Sequence, residues 1–167
     1  MIYCFDTYYF DDKARTSCVG IDTWTAGQLT FEKSETIAGI EEYESGSFYK
    51  RELPCIQSML SNITLNSNDI IVVDGFVVLD DFGKPGLGGY LYEWLVPQIP
   101  VIGVAKNNFA TIDNLKREIF RGESSKPLYV TAKGMDLDQA ANYVKSMHGN
   151  YRIPTILKMV DQYCREI

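Results

Sequence analysis

The sequence predicts an α/β fold in which a mixed β-sheet is flanked by helices. Three segments rich in β-branched and aromatic residues open the chain, and the turn signals DDK and AGQ separate them. Continuous apolar segments such as IIVVDG come later and alternate with segments of helical periodicity. A three-stranded antiparallel meander followed by βαβ units with parallel strands implies this arrangement of sheet and helices.

Two kinds of strand are expected. The three strands of the meander alternate in polarity or are rich in β-branched and aromatic residues. The later strands are continuous apolar runs, which are typical of central strands buried on both faces. The six predicted strands cover residues 1–10, 17–24, 28–37, 70–75, 101–106 and 128–132.

Four helices are expected between and after these strands. Apolar side chains three and four residues apart, at Leu53, Ile56 and Leu60, indicate the first helix. Pro54 is expected near its first turn, where a missing N–H costs least. The predicted helices cover residues 49–61, 87–96, 136–147 and 154–165.

The composition predicts a single domain that spans residues 1–167. Hydrophobic residues make up 46% and charged residues 23% of the chain, as is usual for globular proteins. No apolar run approaches the length of a membrane span, so no membrane partner is expected. The first apolar run carries Asp6 and lacks a basic leader, so we expect a cytoplasmic protein without a signal peptide. The four cysteines show no zinc-ligand spacing.

The net charge of −6 argues against a broad nucleic-acid-binding surface, because phosphate binding usually recruits basic residues. It does not exclude a local one. Bound cations offset carboxylates, and a small basic patch can lie on an acidic body.

Three acidic residues stand where strand ends and a helix start can bring them together. Asp6 ends MIYCFD, Glu52 lies in YKRELP in the first turn of the predicted helix, and Asp74 ends IIVVDG. Carboxylate clusters of this kind hold Mg²⁺ for phosphodiester hydrolysis. Structural alternatives are a solvent-facing or turn position for Asp6, a helix-dipole complement for Glu52 and an Asp-Gly turn for Asp74. The end of a central strand favours function for Asp74.

Lys106 ends the predicted strand VIGVAK. Beside a carboxylate cluster, its charge can neutralise a phosphate or a leaving group. The alternative is a surface lysine whose stem lies along apolar surface. The glycine-rich loop FGKPGLGG (residues 82–89) matches neither the P-loop nor the dinucleotide-binding pattern, so it does not indicate nucleotide binding.

Five features, spread over most of the chain, occur in the order in which one enzyme family has them. YESGSFYKRE (residues 43–52) resembles a tyrosine-led loop of that family. VDG, the glycine-rich loop and then PVIGVAK (residues 100–106) resemble its central signature. KPLYVT (residues 126–131) and YRIP (residues 151–154) resemble its C-terminal region, and Asp161 falls where it tends to have an aspartate. The family that these features resemble is endonuclease V.

The resemblance implies a ribonuclease-H-like fold and an endonuclease that cleaves DNA or RNA near deaminated bases, chiefly inosine. It implies Mg²⁺ as the cofactor, for which Mn²⁺ can substitute, and a role in nucleic-acid repair. On this resemblance, Asp6, Glu52 and Asp74 are the metal-binding catalytic carboxylates. Lys106 is the catalytic lysine that contacts the scissile region. A monomer is favoured.

The resemblance also implies residues that bind the substrate. Tyr43 corresponds to an aromatic wedge that enters the duplex beside the lesion and offsets the cost of unstacking. Glycines are expected near the base pocket, where backbone groups can read a base edge without side-chain bulk. Lys133 replaces a family histidine near the metal. The expected substrate-binding residues are Tyr43, Gly46, Gly75, Gly83, Gly86 and Lys133.

The chain departs from the family pattern around these residues. After Asp-Gly, a His-Pro-Arg stretch is replaced by VVLDDFGK, which introduces Asp80 and Asp81. Ser45 stands where a proline is usual. The changes remove positive charge from the expected nucleic-acid face. Two alternatives therefore stay open: a non-catalytic module that binds nucleic acid or protein on the same fold, and a nuclease with a different substrate.

Overall fold

The computed structural model describes residues 1–40, 42, 44–45 and 47–166, except for the side chain of Phe48. Within that part of the chain, seven strands form one sheet and four helices pack on it. The strands are β1 (Ile2–Phe10), β2 (Lys13–Ile21), β3 (Phe31–Ala38), β4 (Ile70–Asp74), β5 (Val101–Ala105), β6 (Arg117–Ile119) and β7 (Leu128–Lys133). The helices are α1 (Phe48–Leu60), α2 (Leu87–Trp94), α3 (Leu137–Ser146) and α4 (Thr155–Arg165).

The strand order in the sheet is β3-β2-β1-β4-β5-β7-β6. The first three strands form the antiparallel meander, and β4 and β5 run parallel to β1. Antiparallel pairings add β7 and the short β6 at the other side. This mixed sheet with flanking helices confirms the predicted fold class.

Each face of the sheet carries its own hydrophobic core, because successive side chains of a strand point to opposite faces. In β1, Ile2 and Cys4 point to the core that includes α3 and α4. Tyr3 and Phe5 point to the core that includes α1 and α2. Burial on both faces explains why β4 and β5 are continuous apolar runs.

The sequence did not predict the short strand β6, and two further differences concern β2 and β7. First, β2 begins at Lys13, four residues early, because Asp11 and Asp12 form a tight turn. Asp11 has φ 51°, a left-handed conformation that Asp tolerates. Second, β7 runs antiparallel to β5, although parallel strands were expected after the meander. The segment between them holds β6 and no helix, and a parallel connection needs a longer crossover, usually helical.

Two residues lie farther into the first helix than predicted. Pro54 is the seventh residue of α1 and lies inside the helix, not in its first turn. Glu52 likewise lies beyond the first turn, so the helix-dipole explanation for it is wrong. The helices are eight to 13 residues long, and within the described ranges none is long and apolar enough to cross a membrane.

Candidate active site

Asp6 and Asp74 lie side by side where the parallel pairing of β1 with β4 ends, although β1 itself continues to Phe10. Phe5 of β1 pairs with Val73 of β4, so the next residue on each strand is an aspartate. Lys106 directly follows β5, the next strand along. In open α/β sheets, side chains from different strands form sites at the carboxyl ends of the strands.

Burial disfavours the charged forms of both aspartates, and neighbouring negative charges add to its effect. Asp6 is 8% exposed, and burial, followed by the charge of Asp74, raises its pKa to about 7. The N–H of Thr7 opposes this rise by donating to Asp6 Oδ1 at 2.8 Å. Burial also raises the pKa of Asp74, against the effect of the Lys106 charge. The pair therefore lies in surroundings that resist two negative charges.

Glu52 of α1 lies close enough for the charges of Asp6 and Asp74 to act on it, but the predicted set of Asp6, Glu52 and Asp74 is not among the ligand atoms that all lie within 4.8 Å of one another. The Glu52 side chain is 3% exposed, and among the described residues no group forms a hydrogen bond with its buried Oε2. Burial, followed by the charges of Asp6 and Asp74, raises the pKa of Glu52 well above its usual range. A buried carboxylate oxygen without a partner is costly, so this position calls for a positive or donating partner.

A fourth carboxylate, that of Asp161, comes from α4, and the sequence did not indicate it as a metal ligand. Ligand atoms of Asp6, Asp161 and Cys164 all lie within 4.8 Å of one another. Burial raises the pKa of Cys164 to about 12, and its Sγ donates to the Asp161 carbonyl at 3.0 Å. Cys164 is therefore a neutral thiol, and the carboxylates are the ligand candidates. The match of Asp161 to a family aspartate was the available signal.

The donor set fits a hard divalent cation. Mg²⁺ and Mn²⁺ prefer oxygen ligands, which Asp6, Glu52, Asp74 and Asp161 can offer. A cation would supply the partner that Glu52 Oε2 lacks and would reverse the repulsion that raises the pKa values. Arg165 Nε pairs with Asp161 Oδ1 at 2.9 Å, which neutralises only part of the negative charge.

A small cavity opens beside Asp6, Asp74 and Lys106. Apolar side chains from β1, β4, β5, β7 and α4 form the rest of its wall. The Arg152 guanidinium fixes the backbone here, because it donates to the carbonyl oxygens of Lys106 and Pro127. The exposed Lys106 side chain is thus the cationic group that a ligand in this cavity meets.

Two of the expected substrate residues precede α1 in the sequence, and a third follows β4. Tyr43 and Gly46 lie outside the described residues, so their predicted roles stay predictions. Gly75 directly follows Asp74 with φ 125°, and its N–H donates to the Val104 carbonyl at 3.0 Å. The left-handed conformation of Gly75 lets the chain turn sharply away from the carboxylates.

The other two glycines have different surroundings. Gly83, with φ 85°, stands at an exposed turn where an added Cβ would meet nothing within 4 Å. Gly86 is buried at the start of α2, and a Cβ there would lie 2.6 Å from the Phe76 carbonyl oxygen. Gly86 therefore permits close packing of the helix on the preceding loop.

Lys133 does not join the carboxylate cluster. Because β7 is antiparallel to β5, Lys133 pairs with Val101 at the opposite end of the strands. Its Nζ pairs with Glu93 Oε1 at 2.6 Å. The expectation of a position near the metal fails because it assumed that β7 ends at the same edge as β4 and β5.

Asp80 and Asp81 lie at a turn, residues 80–84, that leads into the glycine-rich loop and is here named the glycine-rich turn. Asp80 Oδ1 accepts hydrogen bonds from the N–H groups of Phe82 and Lys84, both at 2.9 Å. Asp81 Oδ1 accepts from the N–H groups of residues 113–115 at 2.8 to 3.1 Å. These bonds, led by that from residue 113, lower the pKa of Asp81. Asp80 thus holds the turn together, and Asp81 ties it to the loop after β5.

No family model and no curated protein matches the sequence of this chain. Similarity is found in solved structures. Endonuclease V of Streptomyces avermitilis gives a TM-score of 0.76 at 23% identity, over 98% of this chain and 79% of that one. Endonuclease V of Ciona intestinalis, in complex with a 23mer DNA containing an inosine followed by a ribo-adenosine, gives 0.78 at 18%, over 99% and 83%.

The catalytic domain of human endonuclease V gives a TM-score of 0.77 at 20% identity, over 99% of this chain and 80% of that one. The resemblance noted in the sequence is therefore confirmed in three dimensions. The chain has the ribonuclease-H-like fold of endonuclease V structures over nearly its whole length.

Proposed function

We propose that this protein is a metal-dependent endonuclease that hydrolyses a phosphodiester bond in nucleic acid. The observation that carries the proposal is the buried, unpartnered Oε2 of Glu52 beside the carboxylates of Asp6 and Asp74. A structural cluster of acids would be expected to find donors within the protein, as buried polar groups do. A cluster that lacks them is suited to binding a cation.

The proposed cofactor is Mg²⁺, with Mn²⁺ as a substitute. Asp6, Glu52 and Asp74 would hold it, and Asp161 would adjoin it. When bound, the cation supplies the Lewis acidity that activates water and stabilises charge on the phosphate. Lys106 would place its ammonium group against a phosphate oxygen and favour the negative charge that develops there.

The proposed substrate is DNA or RNA that contains inosine, with a role in nucleic-acid repair. The inosine-containing DNA bound by the Ciona relative supports this choice of substrate. Tyr43 would act as the wedge beside the lesion, and Gly46, Gly75 and Gly83 would border the base. The packed surroundings of Gly86 suit a supporting role better than contact with a base.

The test incubates the purified protein with inosine-containing DNA and RNA oligonucleotides in Mg²⁺, in Mn²⁺ or in a chelator. We expect cleavage near inosine with either metal and none with the chelator. The same oligonucleotides without inosine are the matched substrate control. A folded protein that cleaves none of these strands in either metal would contradict the proposal.

The acidic turn favours a second candidate, because Asp80 and Asp81 stand where the family pattern has basic residues. This candidate is a non-catalytic binding module or a nuclease with another substrate. Binding without metal-dependent turnover would support the module. Equal cleavage with and without inosine would support the different nuclease. We also propose a monomeric, cytoplasmic, single-domain protein, for which sedimentation and fractionation are the measurements.

A further inference from the structure

A second, larger groove begins at Lys106 and leads away from the carboxylate cluster. It is lined by residues 122–124, by residues 150–155 and by the part of α4 that carries Lys158 and Asp161. Its volume of about 1170 Å³ exceeds the roughly 300–1,000 Å³ of small-molecule pockets. Because Lys106 also lines the cavity at the cluster, an elongated occupant can reach both.

The groove has a positive balance on an acidic protein. Lys106, Arg152 and Lys158 line it, against Glu123 and Asp161. In the part of the chain that the structure describes, none of the three cations forms an ion pair, whereas Asp161 is paired on α4. The net charge of the whole chain is −6. An anionic, extended ligand therefore fits this groove better than the rest of the surface.

A buried arginine holds the loop that borders the groove. Arg121 is 5% exposed, and its guanidinium donates hydrogen bonds to five carbonyl groups of the loop and of the preceding helix. The acceptors are the carbonyl oxygens of Lys145, Met147, Gly149, Tyr151 and Arg152. The backbone of the loop is thus fixed before any ligand binds, which limits the entropy lost on binding.

Tyr151 projects from this fixed loop, and its side chain is 80% exposed at the edge of the groove. A rigidly presented aromatic ring beside cations is the arrangement that stacks on nucleic-acid bases while lysines contact the phosphates. Lys158 lies one helical turn from Asp161, so it connects the groove to the carboxylate cluster.

We propose that this groove binds a single-stranded segment of the nucleic acid next to the scissile phosphate. Tyr151 stacks on one unstacked base, and Lys158 contacts a phosphate of the same strand. The ring requires an exposed base face, which paired and stacked bases in a duplex do not offer, so the occupant is single-stranded. The location beside the scissile phosphate rests on the proposed function; binding in the groove does not require cleavage.

The test measures binding of fluorescein-labelled single-stranded DNA and RNA without inosine by fluorescence anisotropy, with Ca²⁺ in place of Mg²⁺. Tyr151→Ala is expected to weaken binding about 5- to 150-fold, the range for loss of one base–aromatic stack. Tyr151→Phe keeps the ring and is expected to bind within about twofold of wild type. Lys158→Ala is expected to reduce the slope of log affinity against log salt by about 0.7, the value for one phosphate contact on a single strand.

Lys33→Ala is the matched control for Lys158→Ala. Lys33 lies on the edge strand β3, and its loss is expected to leave the salt slope unchanged. Because Tyr151 is exposed, its variants are expected to keep the wild-type thermal midpoint. Affinity of Tyr151→Ala within twofold of wild type would overturn the proposal. An equal loss of affinity for a blunt duplex would overturn the assignment to a single strand.

Cleavage assays on the same variants separate this proposal from the proposed function. Metal-dependent cleavage by wild type, with unchanged binding by Tyr151→Ala, would overturn the groove proposal and leave the nuclease standing. Strand binding that depends on Tyr151, without cleavage of inosine-containing DNA or RNA in Mg²⁺ or Mn²⁺, would support the groove as a strand-binding site and overturn the proposed nuclease.

Discussion

The carboxylates of Asp6, Asp74 and Glu52, near the carboxyl end of the central strand β4, and those of Asp80 and Asp81, in the glycine-rich turn, have opposite surroundings. Burial, followed by the charge of Asp74, raises the pKa of Asp6 to about 7. Hydrogen bonds from three backbone N–H groups lower the pKa of Asp81. Asp6 accepts one backbone N–H, and within the described residues Glu52 Oε2 accepts none. The acids of the glycine-rich turn therefore have their hydrogen-bond donors within the protein, whereas the acids near the end of β4 do not.

This difference separates structural acids from candidate ligands without reference to sequence position. Asp74 and Asp80 are only six residues apart, and both lie near glycines. The Asp80 carboxylate accepts hydrogen bonds from the N–H groups of nearby residues, as in an ordinary turn. Asp74 is half-buried; burial raises the pKa of its carboxyl group, and the charge of Lys106 is the main opposing effect. The lack of a positive or hydrogen-bond-donating partner, and not the presence of an acid alone, therefore distinguishes the candidate ligands.

Replacing one acid from each region gives the largest expected contrast. Asp74→Asn removes a charged ligand, so we expect metal-dependent cleavage of inosine-containing DNA to fall by about 10³-fold or more. Asp81→Asn, the matched change in the turn, is expected to keep activity within about tenfold, because it does not face the cluster. Single-turnover rates for both variants are the measurement, and equal losses would contradict the distinction.

Unfolding of the Asp74→Asn variant would also remove activity, so its thermal stability serves as the control. The substitution relieves repulsion between buried carboxylates. We therefore expect its thermal midpoint in a chelator to equal or exceed that of wild type. A midpoint several degrees lower would assign Asp74 a structural role.

Metal binding gives the next largest effect. Mg²⁺ at 100 times its dissociation constant stabilises a protein that binds it only when folded by about 2.7 kcal/mol. For a chain of this size, that corresponds to a rise of about 5–10 °C in thermal midpoint. We expect this rise in wild type and Asp81→Asn, but not in the double variant Asp6→Asn/Glu52→Gln. A similar rise in the double variant would place the metal elsewhere.

The proximity of Asp6 and Asp74 could be predicted because each aspartate follows a continuous apolar run, and the two runs pair in parallel up to Phe5 and Val73. Asp161 needed the structure, because a helical residue gives no sign of which strand end it will face. Lys133 was misplaced because strand direction is set by the connection, which sequence did not reveal.

The roles of Asp80 and Asp81 were harder to predict from the sequence than those of Asp6 and Asp74. Asp80 and Asp81 appeared in sequence as a loss of basic charge, whereas their partners are backbone N–H groups. Those of Asp81 lie more than thirty residues away, so no local pattern could identify them. Tertiary hydrogen bonds of this kind depend on the fold already being formed.

The raised pKa of Asp6 predicts a pH dependence of stability in the absence of metal. Below about pH 4, Asp6 is protonated in both the folded and the unfolded chain. Between about pH 4 and 7, the unfolded chain loses this proton and the folded chain keeps it, so the free energy of unfolding falls as pH rises. Denaturant titrations across this range should show the fall. Asp6→Asn should reduce this slope, to which the raised pKa values of Glu52 and Asp74 also contribute; an unchanged slope would exclude Asp6 as a source.

The smallest expected effect is local and concerns Asp81. Asp81→Ala removes the acceptor of three backbone N–H groups, at residues 113–115. Because the side chain lies at the surface, water can replace these bonds, so we expect little change in global stability. Amide hydrogen exchange at residues 113–115 should accelerate, while exchange in β2 stays unchanged in the same sample. Exchange as slow as in wild type at those residues would mean that other contacts hold the turn to the loop after β5.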